Sequence, residues 1–322
     1  MTKTGIAVLL MFVGMGIAKA QYDLKVAERE RMAKAGVKTQ TEFTHDYKDG
    51  QPSEQGYKSS VKQFDAKGNI TETVNYDAAG KVISTAVYQY DNKNRQVNYE
   101  RYQGNREKLQ YSQKIVYGAD DNKTREYGFD GVASYSNAYI YDNSGKLVEI
   151  QYTSNQQPVE KRKLNLSGNT TDIRIYDAGN SLLFKQINIH NDKGNLLSEI
   201  KTDHTGKTVY SISCTYKNDI LLLSETKKRG DVLEYEKFYR YDEYDRPIME
   251  ETANMDGEKY VSHEYRYNAE YLKEEAWKKN RQSKEFSKKK MQYGDDGVYR
   301  EIESYFATYK LYSLYKYTYE YH

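Results

Sequence analysis

A recurring seven-residue phrase constrains this chain more than any other feature. Tyr141-Asp142-Asn143-Ser144-Gly145-Lys146-Leu147 is a clear copy, as are Phe64-Asp65-Ala66-Lys67-Gly68-Asn69-Ile70 and Tyr76-Asp77-Ala78-Ala79-Gly80-Lys81-Val82. Looser copies begin at Tyr90, Tyr176, His190, Tyr216 and Tyr241. In each, a ring ends an alternating run and an Asp or Asn opens a turn. The side chain of that residue can accept a hydrogen bond from the backbone two residues on. Gly then supplies the positive φ that closes a hairpin. Asn94, Asn180 and Asp245 stand near the Gly position in loose copies. Asn and Asp tolerate a left-handed conformation best after Gly.

The spacing fixes the topology. The phrase at Phe64 returns at Tyr76 and Tyr90, so turns recur about every 12 to 14 residues. A strand and a short turn fill that length, and no crossover helix fits between them. Neighbouring strands must therefore be antiparallel. From Val37 onward, runs rich in Val, Ile, Thr and Tyr alternate with period two, which is the strand-and-hairpin signal. Two strands make a unit of about 25 residues, a period typical of repeat architectures. The expected fold class is all-β: a long antiparallel meander of hairpin repeats, forming a curled, single-layer or solenoid-like sheet, with a short N-terminal helix.

The alternation also predicts faces. Tyr88/Tyr90, Tyr139/Tyr141, Tyr239/Tyr241 and Tyr265/Tyr267 occupy matching positions before turns. Residues i and i+2 share a face, so these rings should form an aromatic band, each cross-strand pair contributing about 0.2–1 kcal/mol. The chain carries 35 Tyr against 8 Phe and 1 Trp, with mean hydropathy −0.97. Such polarity with so many rings points to an ordered β protein with a thin core, in which Tyr supplies apolar area and keeps its hydroxyl wet. The irregular stretches are Gln103–Asn105, Gly118–Asn122 and Gly128-Phe129-Asp130-Gly131. The last is expected to interrupt a strand with a bulge or bend. Tyr315, Tyr317, Tyr319 and Tyr321 alternate with polar residues and read as a terminal strand. The helix and this strand are expected to protect the two sheet edges.

Three segments are expected: residues 1–20 as a signal peptide, 21–36 as the helical segment and 37–322 as the β domain. The apolar run Ile6–Ile17 is followed by Ala18-Lys19-Ala20, an A-x-A cleavage site. The run is too short to span a bilayer. The expected location is therefore exported: the periplasm, or the cell surface or exterior of a Gram-negative bacterium. Cleavage removes Lys3 and Lys19 and takes the formal charge from +2 to about zero. A neutral chain exerts no general pull on nucleic acid. Residues 22–35 are rich in helix formers and end at Gly36, which suits a cap on the sheet better than a docking helix.

The tandem Phe64–Val97 stretch resembles the YD repeat of the Rhs type, and Tyr141–Leu147 and Tyr176–Leu197 are the next best copies. The resemblance implies an exported, repeat-built β scaffold. In that family the repeats curl into shells or fibres, which in large members encase a C-terminal toxin. This chain has no recognisable toxin segment, and no residue-level site carries over.

No catalytic, cofactor-binding or metal-ligating residue is assigned, and no cofactor is expected. His45, His190, His204, His263 and His322 sit in no zinc-type spacing. Asp120-Asp121-Asn122 and Asp295-Asp296 lack the EF-hand pattern. The lone Cys214 reads as a buried, inert thiol. Lys278–Lys290 is the most basic run and reads as a solvated edge or loop, with contact to anionic polymers as the sharper reading. The functional expectation is a non-enzymatic scaffold or binding module of the bacterial envelope or exterior. Its partner would be a protein or glycan at the envelope, with no nucleic acid and no transmembrane segment after cleavage. The alternative is a polysaccharide-acting enzyme using paired carboxylates.

Overall fold

The computed structural model describes residues 26–268, 273–279, 285–306 and 311–322. The period-two runs form strands in chain order. They begin with β1 (Val37–Lys48), β2 (Gln51–Pro52), β3 (Tyr57–Phe64), β4 (Ile70–Tyr76), β5 (Val82–Tyr90) and β6 (Gln96–Gln103). Next come β7 (Lys108–Tyr117), β8 (Lys123–Phe129), β9 (Ser134–Tyr141), β10 (Leu147–Ser154), β11 (Gln157–Ser167) and β12 (Thr170–Asp177). β13 (Leu182–His190), β14 (Leu196–Asp203), β15 (Thr208–Lys217), β16 (Leu221–Arg229), β17 (Val232–Tyr241) and β18 (Pro247–Ala253) follow. The last are β19 (Lys259–Tyr267), β20 (Lys273–Lys279), β21 (Glu285–Tyr293), β22 (Tyr299–Phe306) and β23 (Leu311–Tyr321).

The turns work as the phrase predicts. Asp77 Oδ1 accepts the backbone N–H of Ala79 at 3.0 Å and of Lys81 at 2.9 Å. Gly80, at φ +80°, donates its N–H to the Asp77 carbonyl at 2.9 Å. The same side-chain geometry recurs at Asp65, Asp142, Asn191 and Asp203. Asn94, Asn180 and Asp245 take the glycine position at φ of 64°, 65° and 60°. Pairing slips at the ring before such turns, as between Asn75 and Tyr76, so the positive-φ residue completes a hairpin bulge.

Every neighbour in the meander is antiparallel, as expected. The sheet is neither open nor solenoid-like, however. β1 pairs with β3 on one side and with β23 on the other, from Val37–Tyr321 to Asp46–Ser313. β2 pairs only with the tail of β1, so the described strands close into a barrel of 22. The reason is physical. An open meander leaves two rows of unpaired backbone groups, and closure alone removes both edges. The terminal strand therefore seals a ring and protects no edge.

The helix, residues 26–34, packs at the end where β1 begins. Met32 is buried with Val37, Phe64 and Val298, and Ala35, Ile70 and Tyr319 pack around them. Gly36, at φ +68°, ends the helix with its N–H on the Ala33 carbonyl at 3.0 Å. The helix thus caps turns at one end of the barrel, a correction of its expected place on an edge. The expected signal peptide lies outside the described residues. Gly128 also differs from expectation: it continues β8 with no interruption. A Cβ there would lie 1.9 Å from the Ser112 carbonyl oxygen, so glycine admits the close passage of β7. The turn begins only at Asp130, whose Oδ1 takes the N–H groups of Val132 and Ala133.

Two glycines in equivalent turns isolate the helix contact. Gly80 has open space around it, whereas a Cβ on Gly68 would lie 2.1 Å from the Arg29 carbonyl oxygen. Gly80→Ala should cost about 1–2 kcal/mol from the left-handed backbone alone. Gly68→Ala should cost a further ~1–3 kcal/mol, because the helix must shift. Equal losses in urea unfolding would show that the helix is not seated on this turn.

Candidate functional site on the inward wall

The barrel has two chemically different faces. One is marked by the register Asn188–Glu199–Ile212–Lys227–Tyr235, running from β13 to β17. Cys214–Glu225–Lys237–Thr252 and Tyr239–Glu250–His263 lie beside it. Ile150, Ile175, Gln186, Glu199, Ile212 and Glu225 on this face are all buried. It is the more buried of the two faces, and a closed barrel buries its inner face, so this face is inward.

The outward face is charged at mid-strand. Glu149, Lys163, Arg174 and Lys185 stand in direct register across β10 to β13. A lysine or arginine facing lipid at the bilayer midplane costs about 2–4 kcal/mol. On these strands the outward wall carries charge at mid-height, with Ile140, Ile189 and Ile200 also exposed on it. Among the described residues, no helix is long and apolar enough to cross a membrane.

Tyrosine organises the inward face. At one end of the barrel, ring hydroxyls donate to the carbonyl at the start of the preceding strand. The bonds run from Tyr90 to Ile70 (3.1 Å), Tyr141 to Lys123 (2.8 Å), Tyr216 to Leu196 (2.9 Å), Tyr241 to Leu222 (2.8 Å) and Tyr267 to Pro247 (2.8 Å). Arg95 lies over the Tyr117 ring at 3.7 Å and Arg246 over Tyr267 at 4.5 Å. Each guanidinium is held by its turn aspartate, Asp91 at 2.7 Å and Asp242 at 2.6 Å. The expected aromatic band is present where Tyr88, Tyr99 and Tyr111 follow one another across β5 to β7, with ring centroids 5.0 and 5.6 Å apart.

Glutamates interrupt this band, four of them on β8, β14, β16 and β18, and the sequence reading singled out none of these four. Glu199, only 2% exposed, accepts the Tyr210 hydroxyl. Glu225, 4% exposed, accepts the Tyr235 hydroxyl at 2.6 Å. Glu126 accepts from Lys123, from Gln113 at 2.8 Å and from Tyr139 at 3.2 Å. Glu250 lies 3.2 Å from Lys237 and 3.5 Å from His263. Their one sequence signal is phase, because each falls in step with the Tyr and Ile of its own strand or its neighbour.

Burial sorts these acids. Burial holds the Glu199 carboxyl above the ordinary carboxylate range, against the opposing Tyr210 bond and the Lys201 charge. Burial also acts upward on Glu126 and Glu250. There the bonds from Lys123 and Gln113, and from His263 and the Lys237 charge, outweigh it and hold both carboxyls low. Cys214, between Glu199 and Glu225, is buried, and its thiol is pushed up to about 11 by burial and then by Glu225. It is protonated at neutral pH and inert, in line with its sequence reading.

Tyr239 differs from its neighbours. Burial raises its hydroxyl pKa, as do the charges of Glu250 and Glu225. Yet the hydroxyl makes no hydrogen bond to any described group, while Tyr210 and Tyr235 are each committed to a carboxylate. It is an open polar position on this stretch of wall.

The other candidates resolve into structure. Asp121 pairs with Lys93 and with Arg95 at 3.4 Å, and Asp120 takes the Asn122 side chain at 2.7 Å. Asp296 pairs with Arg300 at 2.8 Å. Among the described residues no His, Cys, Asp or Glu group is arranged to hold a metal ion. His45 bonds the Ser53 carbonyl at 2.8 Å under the β2 flap. The basic run lies partly in β20 and β21, and residues 280–284 fall outside the described residues.

No family model matches the chain, and no curated protein matches it. Among solved structures it is similar to a porin-like protein from Bacteroides uniformis, 12% identical, covering 88% of this chain and 98% of that one at TM-score 0.30. It is similar to a DUF1329 family protein from Desulfovibrio piger, 11% identical, covering 93% and 90% at TM-score 0.23. It is also similar to TcdB2-TccC3 without its hypervariable C-terminal region, 12% identical over 85% of this chain at TM-score 0.28. The chain spans 18% of the length of that last protein. At these scores the likenesses carry no functional weight.

The sign of the Glu199 shift gives a test. A carboxyl raised in the folded state destabilises that state as pH rises from the ordinary value of 4.5 through the raised one. Glu199→Gln cannot titrate. Its melting temperature relative to the parent should therefore climb across that window and level off above it. Glu250, held low, should give the opposite trend, with stability lost as pH falls through its lowered value. A Glu199→Gln difference that stays flat with pH would overturn the assignment.

Proposed function

We propose that this protein is an exported, non-enzymatic barrel of the bacterial envelope or exterior, and that it binds a glycan on its inward wall. The observation that carries the reading is Tyr239. Its half-buried ring presents an uncommitted hydroxyl between the carboxylates of Glu225 and Glu250. Sugar rings offer C–H faces that stack on aromatic rings and hydroxyls that bond carboxylates and amines. Tyr235, Tyr239, Glu250 and Lys237 supply both kinds of partner on adjacent strands. The charged outward face supports a barrel standing in water, and the leader-like residues 1–20 support export.

The purified mature chain should bind envelope polysaccharide fragments with Kd below about 1 mM by calorimetry. Tyr239→Phe, which removes only the uncommitted hydroxyl and keeps the ring, should weaken binding about tenfold or more with an unchanged melting profile. Loss of all saccharide binding in the parent, or equal binding by the variant, would sink the reading.

A second reading rests on Glu199. A buried carboxyl held above its ordinary range is the property expected of a general acid. If the barrel cleaves polysaccharide, reducing ends should accumulate with the parent and not with Glu199→Gln. Saturable binding with no release of reducing ends decides for the binding protein.

A further inference from the structure

The outward face carries a cleft of about 250 Å³ lined by Lys288, Lys290, Glu303, Tyr305 and Tyr312. It lies across β21, β22 and β23, where Lys288 faces Tyr305, Lys290 faces Glu303 and Tyr305 faces Tyr312. The side chains around it are held by neighbours on opposite sides. Lys288 is drawn toward β20 by Glu275 at 3.7 Å and by the Trp277 ring at 5.1 Å. Tyr305 is drawn the other way, stacking on Tyr312 at 4.4 Å, and Tyr312 meets Tyr47 at 5.3 Å. The gap opens over the middle of the three strands.

The polar groups left in that gap are complementary and unjoined. Lys290 is exposed and forms no ion pair with any described residue, although Glu303 on β22 and Glu275 on β20 are its direct cross-strand neighbours and Glu275 pairs with Lys288 instead. Glu303 accepts the Tyr47 hydroxyl on Oε1 at 3.1 Å and keeps its second oxygen for another donor. The cleft therefore offers an ammonium, a carboxylate oxygen and an aromatic wall around a space the size of one sugar ring.

We propose that this cleft binds a hexuronic-acid residue of an acidic polysaccharide. The sugar carboxylate pairs with Lys290, a ring hydroxyl donates to Glu303, and the C–H face packs on Tyr305 beside Tyr312. This site is independent of the inward wall. It places function in the basic run that the sequence reading assigned to a solvated edge.

The test is calorimetric titration of the full mature chain with galacturonate, galactose, sulfate and a galacturonate oligomer. Galacturonate should bind at least about tenfold more tightly than galactose or sulfate, and the oligomer at least as tightly as the monomer. Lys290→Gln, an exposed change that leaves the melting profile unaltered, should remove the preference for galacturonate over galactose. Tyr305→Leu should weaken both sugars. Tyr239→Phe should leave galacturonate binding unchanged, so failure here and failure of the inward-wall reading are distinguishable. Sulfate bound as tightly as galacturonate would mean a simple anion site and would overturn the proposal. So would galacturonate binding that survives Lys290→Gln, or no galacturonate binding by the parent.

Discussion

The structure depends on one repeated bond, the tyrosine hydroxyl that donates back to the carbonyl at the start of the preceding strand. It spans 20 residues at Tyr90 and again at Tyr216 and Tyr267, where the acceptors are Ile70, Leu196 and Pro247. A single such bond contributes only about 0.5–1.5 kcal/mol. Its weight comes from repetition, because it fixes the same strand offset in successive two-strand units. Equal offsets accumulate into uniform twist and curvature, and uniform curvature lets β23 arrive beside β1 in pairing register. The turn aspartates serve the same end. Asp91 and Asp242 shape their own hairpins and hold the arginines that cover the next tyrosine ring.

A wall one strand thick has little interior, so its stability cannot come from a deep aliphatic core. Among the described residues the one compact apolar cluster, Met32, Val37, Phe64 and Val298, sits under the helix near the closure seam. Elsewhere burial falls on mixed groups such as Ile175, Gln186, Glu199 and Glu225. Burying a carboxylate is costly unless it is bonded. Here a tyrosine hydroxyl or a lysine meets each buried acid. The high tyrosine content is therefore a substitute for a core: the ring provides apolar area and the hydroxyl satisfies a neighbour.

Much of the local structure was legible in advance because it is set by short-range chemistry. The hairpins at Asp65, Asp77 and Asp142, and the left-handed Asn94, Asn180 and Asp245, follow from side-chain acceptors and backbone sterics within five residues. The shared face of Tyr88/Tyr90 and Tyr239/Tyr241 follows from strand alternation. Gly128 was misread because its reason lies on another strand, the Ser112 carbonyl. The inward glutamates went unnoticed for a related reason. Glu199 and Glu225 look like any strand glutamate until the wall curves and places them beside Tyr210 and Tyr235.

The sequence by itself determined the strand count per repeat, the antiparallel sense, the turn geometry and the side-chain phase, because each depends on residues within one hairpin. Only the tertiary structure decided that the meander closes, which of its two faces points inward, and that the helix caps turns instead of an edge. Those outcomes depend on a small twist summed over many strands, and no local segment carries that sum. The same summation decides function. It makes Tyr239 an open position on an inner wall and leaves Lys290 and Glu303 facing each other, unjoined, across an outer cleft.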